Sequence, residues 1–397
     1  MIRRLVNLLK KIHYRLPLWP SVIYMPIVYF IRNIQALLLP MYIIEGEERE
    51  SGTFLRIGFF GNDSGIRNYW TRVLFRGKPV IKKSSKIVFW AIYSYAYRYI
   101  NKLDLIIVEI NRVTRPFVSS GKGFVLPRWF ELLIDVENSL NAIKKNDTHK
   151  HIKKQGFTYK ARFSHDDLKF FYERMYKPYI MSRHKDSSVV AELSHFLKRF
   201  NKKDSMLFFL MKDNEPVAGS FNFSDNGVIR FSVLGILDGQ RKILKMGAIR
   251  ALYYFMLKHY KQKNINIINF EGTSPLLYDG LTQFKLSMRA FPNRKKLFGA
   301  KSLWLVPMNE TVALRAFLKS NPFIYIAKKK IYRALFIDSS EFNYKHEFMR
   351  LMKRTRYKKI DGTKIFCWNG TSKISQWISD EALPDHEVIE FDRQYTP

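Results

Sequence analysis

Between Asn214 and Met288 the spacing of apolar and polar positions changes period three times, and the rest of the chain is organised around those changes. Two runs, Glu215 to Phe223 and Gly227 to Gly235, alternate with a period of two, as half-buried strands do. Ser224-Asp225-Asn226-Gly227 joins them, and Asn-Gly supplies the positive φ that a tight hairpin needs. From Lys242 to Lys261 the period lengthens. Ile243, Met246, Ile249, Leu252, Tyr253 and Met256 then fall on one stripe of a helix. Asn264 to Phe270 returns to a strand and runs into the turn Glu271-Gly272-Thr273-Ser274-Pro275. After it, Asp279 is placed to cap a helix that carries Phe284 and Lys285.

The same reading predicts strands at Thr53–Phe60, Asp104–Ile110, Thr158–Phe163, Met206–Lys212 and Ser302–Val306. Helices are predicted at Ile66–Phe75, Lys86–Ile100, Leu168–Met175, Glu192–Phe200, Thr311–Lys319 and Phe323–Phe336. Such interleaving points to the α/β class, and 397 residues to two domains with extensions. The expected divisions are an N-terminal segment at 1–45, a first α/β domain at 50–150, a second at 155–307, and a helical extension with an acidic tail at 308–397. In the first segment cations alternate with Ile2, Leu5, Val6, Leu8 and Leu9, a pattern suited to a membrane surface. Pro17, Pro20 and Pro26 break the apolar run that follows, and Arg32 with Gln35 leaves each piece short of a span. A surface anchor, an arm packed on the protein and a true span all stay open. No small-residue cleavage site follows, so a signal peptide is not expected.

Charge narrows the partners. Lysine and arginine outnumber acidic residues 68 to 34, a net charge of +34, which calls for an anionic partner. Nucleic acid, an anionic membrane surface or a phosphate-bearing substrate would each serve. Cys367 is the single cysteine, which excludes an internal disulfide and a thiolate metal cluster. His149 and His151 sit in the lysine-rich run 142–154, which reads as a solvated helix face or as a phosphate contact rather than a metal site. Gly61 to Gly65 could form a phosphate-binding turn or an ordinary one.

Four local patterns carry a resemblance. Val217-Ala218-Gly219-Ser220, Lys245-Met246-Gly247-Ala248, Phe270-Glu271-Gly272-Thr273-Ser274 and Asp279-Gly280-Leu281 followed by Phe284-Lys285 resemble the FemAB-like branch of the GNAT acyltransferases, over roughly Gly156 to Ala290. That branch includes acyltransferases tied to surface polysaccharides and peptidyltransferases of peptidoglycan bridges. The resemblance implies tandem GNAT-like domains, each a mixed central sheet flanked by helices, with the second carrying the activity. It places the donor at a helix start read as Lys242, Lys245, Gly247 and Ala248, where Lys245 replaces a glycine of the usual phosphate cradle. It makes Lys285 the cation beside the reacting carbonyl, Glu271 a general base and Tyr278 a proton donor to the leaving group. Gly272, Thr273 and Ser274 would face substrate, with Tyr176 and Arg183 on a neighbouring loop.

The expected function is transfer of an acyl group from an acyl-CoA or acyl-carrier thioester to an amine or hydroxyl of a cell-envelope sugar or lipid-linked precursor. No metal is called for. The setting would be the cytoplasmic face of the cell membrane, with its anionic surface as a partner and DNA not among the partners. Two alternatives stand beside it. One is an aminoacyl-tRNA-dependent peptidyltransferase, whose tRNA would account for the charge; the other is a non-catalytic basic protein that binds membrane or nucleic acid.

Overall fold

The computed structural model describes residues 37–391 apart from 99–101, 119–121, 146–147, 163, 185–189, 201–204, 298–300, 341–345, 347, 351, 353–358, 373 and 376–385. Residues 1–36 of the expected anchor lie outside the described residues, as does the end of the acidic tail. The remainder of that anchor is a strand, β1 (Leu38–Glu47), with Leu39, Met41 and Ile44 buried. Its apolar run is explained by sheet packing on both faces.

The next strands are β2 (Phe54–Phe60), β3 (Val80–Val88), β4 (Leu105–Ile110), β5 (Phe124–Pro127) and β6 (Phe130–Asp135). Then come β7 (Thr158–Arg162), β8 (Ser205–Lys212), β9 (Glu215–Asp225), β10 (Val228–Ile236), β11 (Ile267–Thr273) and β12 (Phe291–Pro292). The last are β13 (Ser302–Pro307), β14 (Phe323–Ala327), β15 (Lys330–Asp338), β16 (Gly362–Trp368) and β17 (His386–Glu390). Among the helices, seven matter below: α1 (Ser64–Leu74), α2 (Val136–Lys145), α3 (Lys177–His184), α4 (Arg241–Lys245), α5 (Ala248–Gln262), α6 (Gly280–Ser287) and α7 (Val312–Ser320).

Among the described residues the strands make three sheets, ordered β3-β1-β2-β4-β13-β5, β12-β6-β11-β10-β9-β8-β7 and β14-β15-β16-β17. Each mixes parallel and antiparallel neighbours, for example β2 with β4 and β10 with β11 in parallel, and helices cover them, so the class is mixed α/β. The first two sheets exchange strands across the divisions expected from sequence. β6, expected in the 50–150 unit, pairs with β11 in the second sheet, and β13, expected with 155–307, pairs with β4 and β5 in the first.

The expected helical extension after 308 is corrected. Only its first part, α7, is the predicted helix; the chain then enters the third sheet. Phe323 to Phe336, read as a helix, is a hairpin of β14 and β15. Phe-Ile-Tyr-Ile alternates as a strand does, and Lys328 and Lys329 take φ of 46° and 61°, the left-handed pair of a two-residue hairpin turn. Asn226 and Gly227 do the same between β9 and β10 with φ of 51° and 77°. The helix predicted from Lys242 to Lys261 is broken. Gly247 sits at φ 76°, ending α4 and starting α5, while the buried stripe of Ala248, Leu252, Tyr253 and Met256 continues on α5 alone.

The second sheet's core gathers Phe208, Ala218, Ile236, Leu252 and Phe270. On its other face, a single π-helical turn, Phe171–Tyr176, lies directly against β10 at Gly235. A Cβ there would stand 2.6 Å from the carbonyl carbon of Met175 and 2.7 Å from the Tyr176 nitrogen. Backbone atoms cannot yield as a flexible side chain would, so Gly235→Ala should destabilise the fold by about 1–3 kcal/mol, the usual cost of overpacking. A urea unfolding midpoint unchanged from wild type would contradict this close approach.

Candidate functional site

The parallel seam between β10 and β11 is where the second sheet opens. The two strands meet at one pair, Arg230 opposite Asn269. Beyond it β10 goes on pairing with β9 as far as Ile236, and β11 with β6 as far as Thr273, but not with each other. Each strand also shifts register just past the meeting point, between Phe231 and Val233 and between Asn269 and Gly272. Bulges bend a strand and end its pairing. Here they turn a continuous sheet into a slot with a backbone edge on either side.

Arg230 holds the closed end. Its guanidinium takes both oxygens of Glu271 at 2.8 and 2.9 Å, Asp225 at 3.0 Å and Glu131 at 3.2 Å. Hydrogen bonds to Glu271 outweigh burial and push Arg230 further above its ordinary value. Burial alone would push Glu131 up, but hydrogen bonds from Asn269, Asn293 and Lys296 win and hold it below the usual carboxylate range. Glu271, read from sequence as a general base, therefore has both oxygens engaged in a fork-on-fork ion pair. It shapes the seam instead: its φ is 59°, and its backbone N–H donates to the Asn269 side chain at 2.8 Å.

Lys285 comes to the same place from α6. Only 4% exposed, its Nζ donates to the backbone oxygens of Gly272 at 2.8 Å and Glu271 at 3.2 Å. It also lies 5.3 Å from the centre of the Phe270 ring. Burial pulls its pKa down to about 8, against the opposing pull of Glu271 and Asp279. An ammonium has three N–H donors, so two of them fasten the bulge.

The turn after β11 is mostly spent on structure. Thr273 Oγ1 is 2.7 Å from Thr282 Oγ1, which donates to the Ser274 carbonyl at 3.0 Å. Ser274 Oγ accepts from the Tyr69 hydroxyl at 2.6 Å and from the Leu276 N–H at 3.1 Å. Thr273 and Ser274 are buried, whereas Gly272 is exposed near Trp129. Of the three, only Gly272 can meet a substrate directly. Asp279 caps α6 through the N–H groups of Leu281 and Thr282. Tyr278 lines a cavity of about 800 Å³ beside Asp279 and Tyr69.

Around the slot, the remaining candidates divide. Lys242 and Lys245 are exposed on α4 and can meet an anion. Two of the backbone donors near them are not open to it, because the N–H groups of Met246 and Gly247 are bonded to the carbonyls of Lys242 and Leu244 at 3.1 and 3.0 Å. Ala248 is fully buried. Tyr176 is also inside, accepting the Ala191 N–H at 3.2 Å. Arg183 is exposed on α3 and donates to the Tyr179 hydroxyl at 2.9 Å. Burial first, then Tyr179 and Glu271, raise the pKa of Tyr253 on α5, whose ring lies 4.9 Å from that of Phe270 on β11. The Gly61 to Gly65 turn holds an anion of its own. The Asn62 and Asp63 N–H groups donate to Glu109 at 3.2 and 3.0 Å, in the space a phosphate would need.

Sequence reasoning missed Arg230 and Tyr69. The first was hidden as one cation among alternating strand positions, although an arginine on an inward-facing strand needs carboxylates nearby. The second needed the contact between α1 and the turn at 274. Among the described residues no group of three or more His, Cys, Asp and Glu could hold a metal ion, and no helix is long and apolar enough to cross a membrane.

No protein-family profile and no curated protein sequence matches the chain. Solved structures it is similar to include FemX, at 10% identity over 67% of this chain and 82% of that one, with a TM-score of 0.33. A conserved protein of unknown function from Bacteroides thetaiotaomicron matches at 11% identity over 64% and 79%, TM-score 0.33. A GCN5-related N-acetyltransferase from Sphaerobacter thermophilus matches at 8% identity over 68% and 78%, TM-score 0.30.

The low pKa of Lys285 has a thermodynamic signature. Between about 8 and its ordinary 10.5 the unfolded chain holds the proton and the folded chain has released it, so stability rises with pH in that window. This contribution is complete above 10.5 and lost as pH falls through 8. Its full span is about 3 kcal/mol, at 1.36 kcal/mol per pKa unit. Denaturant titrations at pH 7.5 and 10 should show wild type gaining on Lys285→Met, while tyrosine ionisation common to both cancels in the difference. Parallel pH profiles for the two proteins would contradict the burial of this ammonium.

Proposed function

We propose that the chain is an acyltransferase that uses the β10–β11 slot to hold a thioester donor and delivers its acyl group to an amine or hydroxyl of a cell-envelope sugar or lipid-linked precursor. The observation that carries this reading is the slot itself: two bulged parallel strands that part beyond one shared residue pair, with a buried ammonium at the end of one. An extended amide-bearing chain, such as pantetheine, can pair with such edges as an added strand does. The exposed Lys242 and Lys245 would meet its phosphates through charge. That Lys245 stands in α4 instead of an open glycine turn favours a pose held by side chains rather than by backbone N–H groups.

In the reaction the acceptor's nitrogen or oxygen attacks the thioester carbonyl, and negative charge moves onto the carbonyl oxygen. Lys285, lying behind Gly272, is placed to oppose that charge, an interaction worth more in the transition state than before it. Collapse of the tetrahedral intermediate breaks the C–S bond, and the thiolate takes up the proton shed by the acceptor. Because Glu271 is locked to Arg230, the acceptor would enter as a neutral nucleophile.

The net charge of +34 supports a second donor, an aminoacyl-tRNA, whose phosphates would meet the same exposed lysines. It also supports attachment to the anionic inner face of the cell membrane. Mass spectrometry of what co-purifies separates the donors: a CoA or carrier thioester fits the first, tRNA the second, and neither, with no thiol release on adding acyl-CoA and cell-envelope extract, fits the non-catalytic alternative.

With a working assay, Lys285→Met should lower turnover by about 10²–10³, the typical loss on removing one oxyanion-stabilising group. If the ammonium is the active form, the wild-type rate should fall as pH rises through about 8. A rate that climbs through that pH would instead make the neutral amine a base. A folded Lys285→Met protein with wild-type turnover would remove Lys285 from the chemistry.

A further inference from the structure

The cavity beside Tyr278 lies outside the slot and draws its wall from five separate parts of the chain: the turn after β1, α1, the 276–280 turn, α7 with the residues just after it, and Arg350. Its volume of about 800 Å³ is within the range of small-molecule sites. Arg49, Lys319 and Arg350 bring three cations to it, Arg49 with one N–H already given to the Arg72 carbonyl at 2.8 Å. Tyr69 and Tyr278 add two aromatic rings, and Asn321, whose Nδ2 donates to the Phe317 carbonyl at 2.9 Å, adds an amide oxygen. Segments far apart in sequence thus place like charges around one concavity, an arrangement that concentrates positive potential there.

Two carboxylates share the wall, Glu50 and Asp279. Asp279 is committed elsewhere, with Oδ1 accepting the N–H groups of Leu281 and Thr282 at 3.0 and 3.1 Å and Oδ2 facing the Tyr69 hydroxyl at 3.4 Å. The start of α6 offsets much of its charge, which leaves Glu50 alone against the three cations. Two guanidinium groups and one ammonium suit a phosphate, which offers several oxygens to planar and point donors together. The tyrosine rings and the Asn321 amide suit a ring bearing hydroxyls.

We propose that this cavity binds a sugar phosphate, with Arg49, Lys319 and Arg350 on the phosphate and Tyr69, Tyr278 and Asn321 around the sugar. Resting on the acyltransferase reading, this ligand is the acceptor or its phosphate-linked end. Two hydrogen bonds lead from the cavity wall towards the slot. Tyr69 on its wall donates to Ser274 at 2.6 Å, and Ser274 lies in the turn whose neighbouring carbonyl, that of Gly272, holds Lys285.

The test is calorimetric titration of the full chain with N-acetylglucosamine 1-phosphate, N-acetylglucosamine and inorganic phosphate, with no thioester present. The sugar phosphate should bind at least about tenfold more tightly than either fragment, a margin of about 1.4 kcal/mol. Arg49→Met and Lys319→Met should each weaken it about tenfold, as loss of one charged hydrogen bond does, while Lys319→Arg keeps it. Unshifted thermal unfolding would show that the variants are folded. Absence of saturable binding, equal binding of inorganic phosphate, or binding indifferent to both substitutions would each overturn the proposal. The two readings fail separately. Binding without any acyl transfer leaves the cavity standing and removes the enzyme, whereas transfer whose acceptor KM ignores Arg49→Met and Lys319→Met does the reverse.

Discussion

The guanidinium of Arg230 is the constraint on which the seam depends. It stands at the last residue pair shared by β10 and β11 and gathers carboxylates from β6, the β9 end of the hairpin and the bulge of β11. Three acids drawn this close would repel one another without it, and a half-buried arginine would be costly without them. Their mutual neutralisation lets two parallel strands be held firmly at one end and left apart at the other. The slot is a product of this clamp as much as of the two bulges.

Lys285 completes the balance from the opposite side. A buried ammonium is tolerated because two carbonyls turned out of the ladder by the Glu271 bulge accept from it, and the Phe270 ring lies beneath. Strain and charge are thus placed together: a non-glycine residue at φ 59° aims its carbonyl at a cation that burial has made easier to deprotonate. Such a group responds strongly to any further negative charge, which is the property a transfer reaction would draw on.

Local patterns in the sequence were sufficient for the hairpin of β9 and β10, for the stripe now on α5, and for the Asp279 cap of α6, because each depends on residues within one or two turns. They failed where tertiary packing chose between local options. Phe323 to Phe336 is apolar enough for a helix or a hairpin, and the two lysines at 328 and 329 decided it through backbone conformations that their residue type does not advertise. Gly247 reads as a tolerable helix glycine until its φ is seen. At the site, the sequence put Lys285 on the helix after Asp279, which the structure shows, but the partners around the turn it reaches lie far away in the chain: Arg230 41 residues before Glu271, and Tyr69 205 residues before Ser274. No period in the hydrophobic pattern encodes contacts at that range.

The strands traded between the first two sheets carry a consequence for how the polypeptide can be divided. A fragment starting near 155 would leave β11 without β6 along one side, strip Glu131 from the arginine clamp, and present a raw strand edge of the kind that pairs with other chains. The complementary N-terminal fragment would lack β13, the strand that bridges β4 and β5. Neither piece is a module that evolution or an engineer could graft elsewhere, and the two sheets are expected to rise and fall together as one cooperative unit. Strand partners separated by well over a hundred residues also make for slow maturation, so a nascent chain would stay incomplete until its ribosome had passed β13.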